Sequence, residues 1–271
     1  MKTIKTLILA LLMVSLGPWA RGQQYSLEPA AYQNNVIGLR AGIPMFKEGQ
    51  EVGTMTGIYS LYALINLANN WSLYGEVPLI LAKVGDGDFS ESDNGLGNVF
   101  IEVRKGINEN NTSHFSLGAF LPTVGEDNYI RQITGFLSNP YRVGQSLSAF
   151  TVYGNYSHNN PREKSAIFGL DFGPDIMFPT AEDTDTEVFA HFGIKGGHKF
   201  NKLHLWTELN GQFWFTESDI DTSDRLFTQL GLAASLNLGN VKPGLFYGIP
   251  LNKDIRDGQS GILGFKLEVL I

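Results

Sequence analysis

Long alternation of polar and apolar residues constrains this chain more than any other feature. In GLGNVFIEVRKGI (95–107), Val99, Ile101, Val103 and Ile107 take odd positions, with Lys105 the only interruption. Asn98, Glu102 and Arg104 take the even positions between them. A strand sends alternate side chains to opposite faces, so this segment has an oily side and a charged side. No long segment shows helical periodicity, while alternation recurs throughout. It predicts twelve strands, at about 35–44, 55–68, 71–82, 95–107, 113–122, 146–157, 164–179, 187–199, 202–216, 226–238, 240–251 and 260–271. Such strands are longer than the ~5–6 residues usual in sandwiches and suit a tilted membrane span of ~9–11 residues.

The connections alternate as well. After even-numbered strands they are short and polar: Asn69-Asn70, NENNT, HNNPRE, Asn201 and Gly239-Asn240. After odd-numbered strands they run longer, as in MFKEGQEVGT, KVGDGDFSESDN, the stretch from Thr123 to Gln145, AEDTDT, ESDIDTSD and NKDIRDGQ. Short turns at one end and long loops at the other are the pattern of bacterial outer-membrane barrels. Five odd-numbered strands end on an apolar-proline step at Pro44, Pro78, Pro122, Pro179 and Pro250. Proline lacks the ladder donor, so strand termination is its expected role there.

Sorting the strands by parity gives an apolar face carrying, for example, Ile37, Leu39, Trp71, Leu73, Phe115, Leu117, Phe168, Phe172, Leu230, Leu232, Phe265 and Leu267. The polar face carries Arg40, Glu76, Glu102, Arg104, Asp171, Asp175, His191, Lys195, His204, Glu208, Gln212, Lys242, Lys266 and Glu268, together with Trp206 and Trp214. Strand six, SLSAFTVYGNY, does not sort. The expected fold is all-β: a closed antiparallel transmembrane β-barrel of about 12 strands, whose closure satisfies every backbone group in the bilayer. The apolar face then meets outer-membrane lipid and the polar set lines the lumen. Charges enclosed in a narrow tube must pair across strands, because unpaired buried charge is costly. The expectation is a laced lumen, with Glu102 bonded to a basic neighbour. The alternative is a soluble barrel or sandwich with a solvated charged face, which strand length and loop asymmetry disfavour.

Residues 1–22, MKTIKTLILALLMVSLGPWARG, have two lysines, an apolar run of about a dozen residues and small residues before a cut after Gly22. This is read as a removable signal peptide, leaving 23–271 as the barrel. Removing Lys2, Lys5 and Arg21 from the 20 basic residues leaves 17 against 27 acidic ones, a net charge near −10. That argues against nucleic acid as a partner. The chain has no cysteine, so it has neither a disulfide framework nor a thiolate metal site.

The pair GLGNVFIEVRKGI (95–107) and HFSLGAFLPT (114–123) resembles a hairpin of the outer-membrane barrel family labelled as phenol-degradation meta-pathway transporters. That family's pattern is a GLGD-type strand start followed, one hairpin on, by an LPTG-type strand end. This chain departs from it at Asn98, where an acid is usual, and at Val124, where glycine is usual. The resemblance implies a transport-type barrel in the outer membrane. It does not carry a phenolic cargo over to this chain.

Chemistry-bearing patterns are few. His114-Phe115-Ser116 has the His-x-Ser spacing by which outer-membrane lipid hydrolases resemble one another. Parity puts this pair on the lumen side at the short-turn end, so no catalytic role is expected. The acidic segments DGDFSESDN, EDTDTE and ESDIDTSD do not follow the EF-hand pattern: Glu91 stands where the turning glycine belongs and Gly97 where the last glutamate belongs. They are expected to be solvated loops. The histidines have no metal spacing, Gly193, Gly196 and Gly197 form no phosphate loop, and no cofactor is expected. Trp71, Phe178, Phe213 and Phe215 fall where aromatic girdles sit. Trp206 and Trp214 share the polar face with Glu208, Asn210 and Gln212, either as a small-molecule contact strip or as lumen packing. The segment 123–145 carries Tyr129, Ile130, Ile133, Phe136 and Leu137, too apolar for a solvated loop, and is expected to fold over or into the mouth. Together these features predict a passive channel or transporter for small solutes in the cell outer membrane. A barrel with a blocked lumen that serves a structural, adhesive or partner-binding role through its long outer loops is the alternative, and an outer-membrane lipid hydrolase a lesser one.

Overall fold

The computed structural model describes residues 34–47, 56–84, 91–107, 112–139, 142–160, 165–181, 184–216 and 225–271. The predicted leader, 1–22, lies outside the described residues. The strands are β1 (Val36–Phe46), β2 (Gly57–Asn66), β3 (Trp71–Val84), β4 (Glu91–Leu96), β5 (Val99–Gly106) and β6 (Ser113–Leu121). They continue as β7 (Ala149–Asn159), β8 (Ala166–Pro179), β9 (Glu187–Phe200), β10 (Leu203–Trp214), β11 (Leu226–Leu236), β12 (Val241–Pro250) and β13 (Gln259–Leu270). Helix α1 (Tyr129–Ser138) and a short 3-10 turn, Val143–Gln145, lie between β6 and β7, and helix α2 (Lys253–Gly258) between β12 and β13.

The sheet closes on itself. Neighbours pair antiparallel from β5 round to β13, β13 pairs with β1 from Val36↔Leu270 to Phe46↔Gln259, and β1, β2 and β3 complete the ring. Twelve strands form the barrel and β4 is an additional one. β4 and β5 follow the same edge of β3: β5 pairs with Trp71–Glu76 and β4 with Leu79–Val84. The single strand expected over 95–107 is therefore broken at Gly97-Asn98. The break shifts the register by one residue, so Leu96 points outward although its parity matches the inward Glu102. A one-residue slip of this kind flips every side chain beyond it.

Pro78 is not a strand end, contrary to the sequence reading, because β3 continues six residues past it. Its carbonyl accepts from Gly97 N at 2.9 Å, so its missing N–H faces the broken strand, where no ladder bond is lost. Pro44 also lies inside its strand, while Pro179 and Pro250 end theirs and Pro122 follows Leu121. The short turns depend on residues that tolerate a left-handed backbone. Asn69 and Asn70 both have positive φ, 59° and 61°, as a tight hairpin with right-handed strand twist requires.

Burial alternates as parity predicts. Ile101, Leu117, Phe172, Leu232 and Phe265 are exposed on the outside, and Leu117 keeps 63% of its surface open. So continuous an apolar exterior would be a severe liability in water and costs nothing in hydrocarbon. Trp71, Phe178 and Phe215 are exposed toward the strand ends, where girdle residues belong. Strand β7, which the sequence left unsorted, turns Ala149, Thr151, Tyr153, Asn155 and Asn159 inward.

Candidate functional site inside the barrel

One side of the interior is packed solid. Tyr62, Tyr74, Phe100, Phe120 and Tyr153, from β2, β3, β5, β6 and β7, form a buried cluster with Val36 and Leu64. Phe100 stacks on Phe120 at 4.3 Å and meets Tyr153 edge-on at 5.6 Å. Guanidinium groups cap these rings: Arg104 lies 4.8 Å from the Tyr74 ring centre, and Arg142 lies 4.5 Å from Phe100 and 5.0 Å from Phe120. Such contacts strengthen where water is excluded.

Glu76 is the electrostatic centre of this half. Its side chain is fully buried and is contacted by Arg40 and Arg142. Gln145 Nε2 and Tyr74 Oη also donate to its carboxylate, at 2.7 and 3.1 Å. Two cations and two further donors offset the cost of burying a carboxylate. The expected pairing of Glu102 is present: Arg104, two residues along the same strand, bonds its carboxylate at 2.7 Å. Lys266 and Glu268 pair in the same way at 3.1 Å, and Tyr62 Oη donates to Glu268 at 2.9 Å. Side chains two apart in a strand share a face, so same-strand pairing satisfies the charge as well as pairing across strands.

The segment between β6 and β7 enters the mouth. Ile130 of α1 packs on Ile58, Ile80 and Ala82, which point inward from β2 and β3. Phe136 reaches the other side, against Phe227 of β11 and Ile255 of α2. On its outer flank α1 is held by β4: Tyr129 Oη donates to Glu91 at 2.8 Å and Arg131 Nε to Asp93 at 3.1 Å. Burial, and then the neighbouring Glu91, raise the Tyr129 phenol above its ordinary pKa. The described part of the segment DGDFSESDN is thus a strand that anchors a helix, not a solvated loop. Of EDTDTE, residues 184–186 are exposed, as a solvated loop would be, and Glu187 begins β9; residues 85–90, 182–183 and 217–224 lie outside the described residues. Past α1 the chain descends, burying Asn139, Arg142, Gln145 and Ser146.

Asn98, at the strand break, fastens the returning chain. Its amide nitrogen donates to the carbonyls of Gly144 and Leu147 at 2.8 and 2.6 Å, and its oxygen accepts from Thr123 N and Val124 N at 2.8 and 3.0 Å. Its own N–H donates to Gln145 O at 2.7 Å. Asn98 is completely buried. The sequence put Asn98 on the polar side of its strand and noted its departure from a family pattern, but it did not assign Arg142 or Gln145 to the interior. The apolar content of 123–145 was the only signal for them.

The opposite wall, β8 to β13, is buried toward the mouth, and its partly open residues lie toward the short-turn end. Asp171, Lys195, His204, Trp206 and Lys242 all face inward and are only partly buried. His191 is buried, stacks on Tyr153 at 4.7 Å and bonds Asp175 at 3.0 Å and Asn155 at 3.1 Å. Gln212 Nε2 donates to the same Asp175 oxygen at 2.9 Å. Glu208 is buried and accepts from Asn210 at 2.7 Å. The two tryptophans of the expected contact strip separate. Trp206 packs beside Phe246 in the lower half, while Trp214 sits near the mouth against Phe189 and donates to Glu187 and Thr216.

The His-x-Ser spacing does not make a nucleophile pair. Ser116 Oγ is buried with no hydrogen-bond partner, so His114 does not touch it. A Ser–His contact does occur between Ser113 Oγ and His158 Nδ1, at 2.7 Å across β6 and β7. Among the described residues no carboxylate orients that imidazole, as an activated serine requires. No cluster of three His, Cys, Asp or Glu residues that could hold a metal occurs among the described residues.

No family model matches this chain, and no curated protein does. Solved structures match its shape. The COG4313 outer membrane channel from Pseudomonas putida F1 superposes with a TM-score of 0.60 at 13% identity, over 90% of this chain and 99% of that one. The NanC porin gives 0.52 at 10% identity, over 87% and 98%. The translocator domain of the autotransporter NalP from Neisseria meningitidis gives 0.51 at 10% identity, over 89% and 90%. At such identities the likeness is one of fold. The chain has the fold of outer-membrane β-barrels, with an apolar exterior and a polar, partly plugged interior.

Proposed function

We propose that this barrel is a passive channel for small solutes, with its passage along the inner wall of β8 to β13. The observation that carries the reading is the asymmetry of the interior. One half is filled by aromatic rings and the descending segment, whereas the inward Asp171, Lys195, His204, Trp206 and Lys242 stay partly open. Polar lumens of this kind tune selectivity through their side chains. The predicted site residues on that wall, with Arg40, Glu76, Glu102 and Arg104 holding the packed half, would set which solutes pass. The fold shared with an outer membrane channel and a porin supports transport, as does the hairpin's resemblance to the phenol-degradation meta-pathway transporters, and the cargo of that type is not assigned to this chain. Purified protein in planar bilayers tests the reading: steady ion conductance is expected.

The plug favours a second reading, a blocked barrel that serves as a structural or adhesive element. Ile130 and Phe136 join opposite sides of the mouth. An absence of conductance, together with loss of surface attachment on deleting the protein, would select it.

A further inference from the structure

Three amide side chains on the inner wall carry polar atoms that the protein itself does not satisfy. Asn210 and Gln212 on β10 and Gln229 on β11 are each no more than 3% exposed. Asn210 and Gln229 stand directly opposite each other in the ladder. Chemistry fixes the orientation of two of them: Asn210 Nδ2 donates to Glu208 and Gln212 Nε2 to Asp175, since an amide oxygen turned toward a carboxylate would repel it. Asn210 Oδ1 and Gln212 Oε1 are then left without a partner, as are both ends of the Gln229 amide and the Trp206 indole N–H.

Buried groups without partners are rare in native structures, and leucine would fill the same space with no such penalty. The backbone also makes room for these amides. A Cβ at Gly193 would lie 2.9 Å from Asn210 Oδ1, and one at Gly248 would run into the Gln229 amide. The unmatched atoms include both acceptors and donors. A hydrocarbon would satisfy none of them, a cation only the acceptors and an anion only the donors. A hydroxyl group does both. Inward residues on one strand repeat at about 6.6–6.8 Å and cross-strand pairs lie about 5 Å apart, a spread that a compact molecule with several hydroxyls covers. Beside them, Phe246 and Trp206 present apolar ring surface.

We infer that the β10–β11 wall is a subsite for a neutral, polyhydroxylated solute of roughly hexose size. The inference rests on the channel reading, because the subsite lies on the proposed route, and it names the solute class. The test is titration of the purified wild-type protein with D-glucose, toluene and tetramethylammonium, followed by tryptophan fluorescence. Glucose is expected to saturate and the other two are not. Gln229→Leu and Asn210→Leu are each expected to weaken glucose binding about tenfold, the effect of one or two lost hydrogen bonds, while raising the unfolding temperature. An unsaturated glucose titration, equal saturation by toluene, or unchanged glucose affinity in both variants overturns the inference. Glucose flux into liposomes is read separately. Flux without saturable binding overturns the subsite, whereas saturable binding without flux overturns the channel and leaves the subsite standing.

Discussion

Arg142 reaches from the segment that enters the barrel to the buried carboxylate of Glu76 on β3, and this ion pair ties plug to wall. Both side chains are almost wholly buried, and Arg40 bonds both oxygens of the same carboxylate. Removing one partner of a buried pair costs about 3–5 kcal/mol. For Arg142→Ala the low end, about 3 kcal/mol, is expected, because Arg40 still compensates Glu76. The checks are the urea midpoint of unfolding and the single-channel conductance, which is expected to rise as the segment loosens.

Asn98 uses both ends of its amide to hold that segment. Asn98→Asp keeps the acceptor that serves Thr123 and Val124 but turns an oxygen toward the carbonyls of Gly144 and Leu147. A loss of about 2 kcal/mol is expected from the broken donors and the oxygen contacts. Limited proteolysis of the folded variant should show new cleavage within 139–148, with the barrel core intact.

The ion pair between Arg131 and Asp93 is partly exposed and fastens α1 to β4, outside the ring itself. Asp93→Asn is expected to change global stability by less than about 1 kcal/mol. It should nonetheless speed hydrogen exchange across 129–138, because local opening draws on few contacts. Equal acceleration throughout β1 to β13 would contradict this assignment.

Leu117 lies at the middle of β6 on the outer face. Arginine on the lipid face near the bilayer midplane costs about 2–4 kcal/mol. Leu117→Arg should therefore lower folding stability in lipid vesicles by that amount. The same substitution in detergent micelles, which adapt to charge, should cost less.

The strands were legible because lipid outside and polar groups inside write a two-residue period into nearly every one. The inward set from Arg40 to Glu268 followed from it. The break at Gly97-Asn98 was harder to read, since alternation continues on either side of it. Leu96 and Phe100 are both apolar residues at even positions there, yet only Leu96 turns outward, so the pattern did not mark the break. Strand β7 hid its parity because its inward face mixes Ala149, Thr151 and Tyr153 with no strong polar mark. Contacts made by a loop residue leave no periodic trace, so Arg142, Gln145 and the anchoring role of Asn98 could not be read from spacing. Which charges pair along one strand and which across strands was likewise set by side-chain reach.

The native chain has no cysteine, so single cysteines introduced into it report without background. The most direct measurement is the conductance of Asp171→Cys, Lys195→Cys and Ile101→Cys in planar bilayers before and after a charged, water-soluble thiol reagent. A stepwise fall in current is expected at positions 171 and 195, with none at 101. Current that falls on modification at 101 but not at 171 or 195, or no current from any of the three proteins, would contradict a passage along this wall.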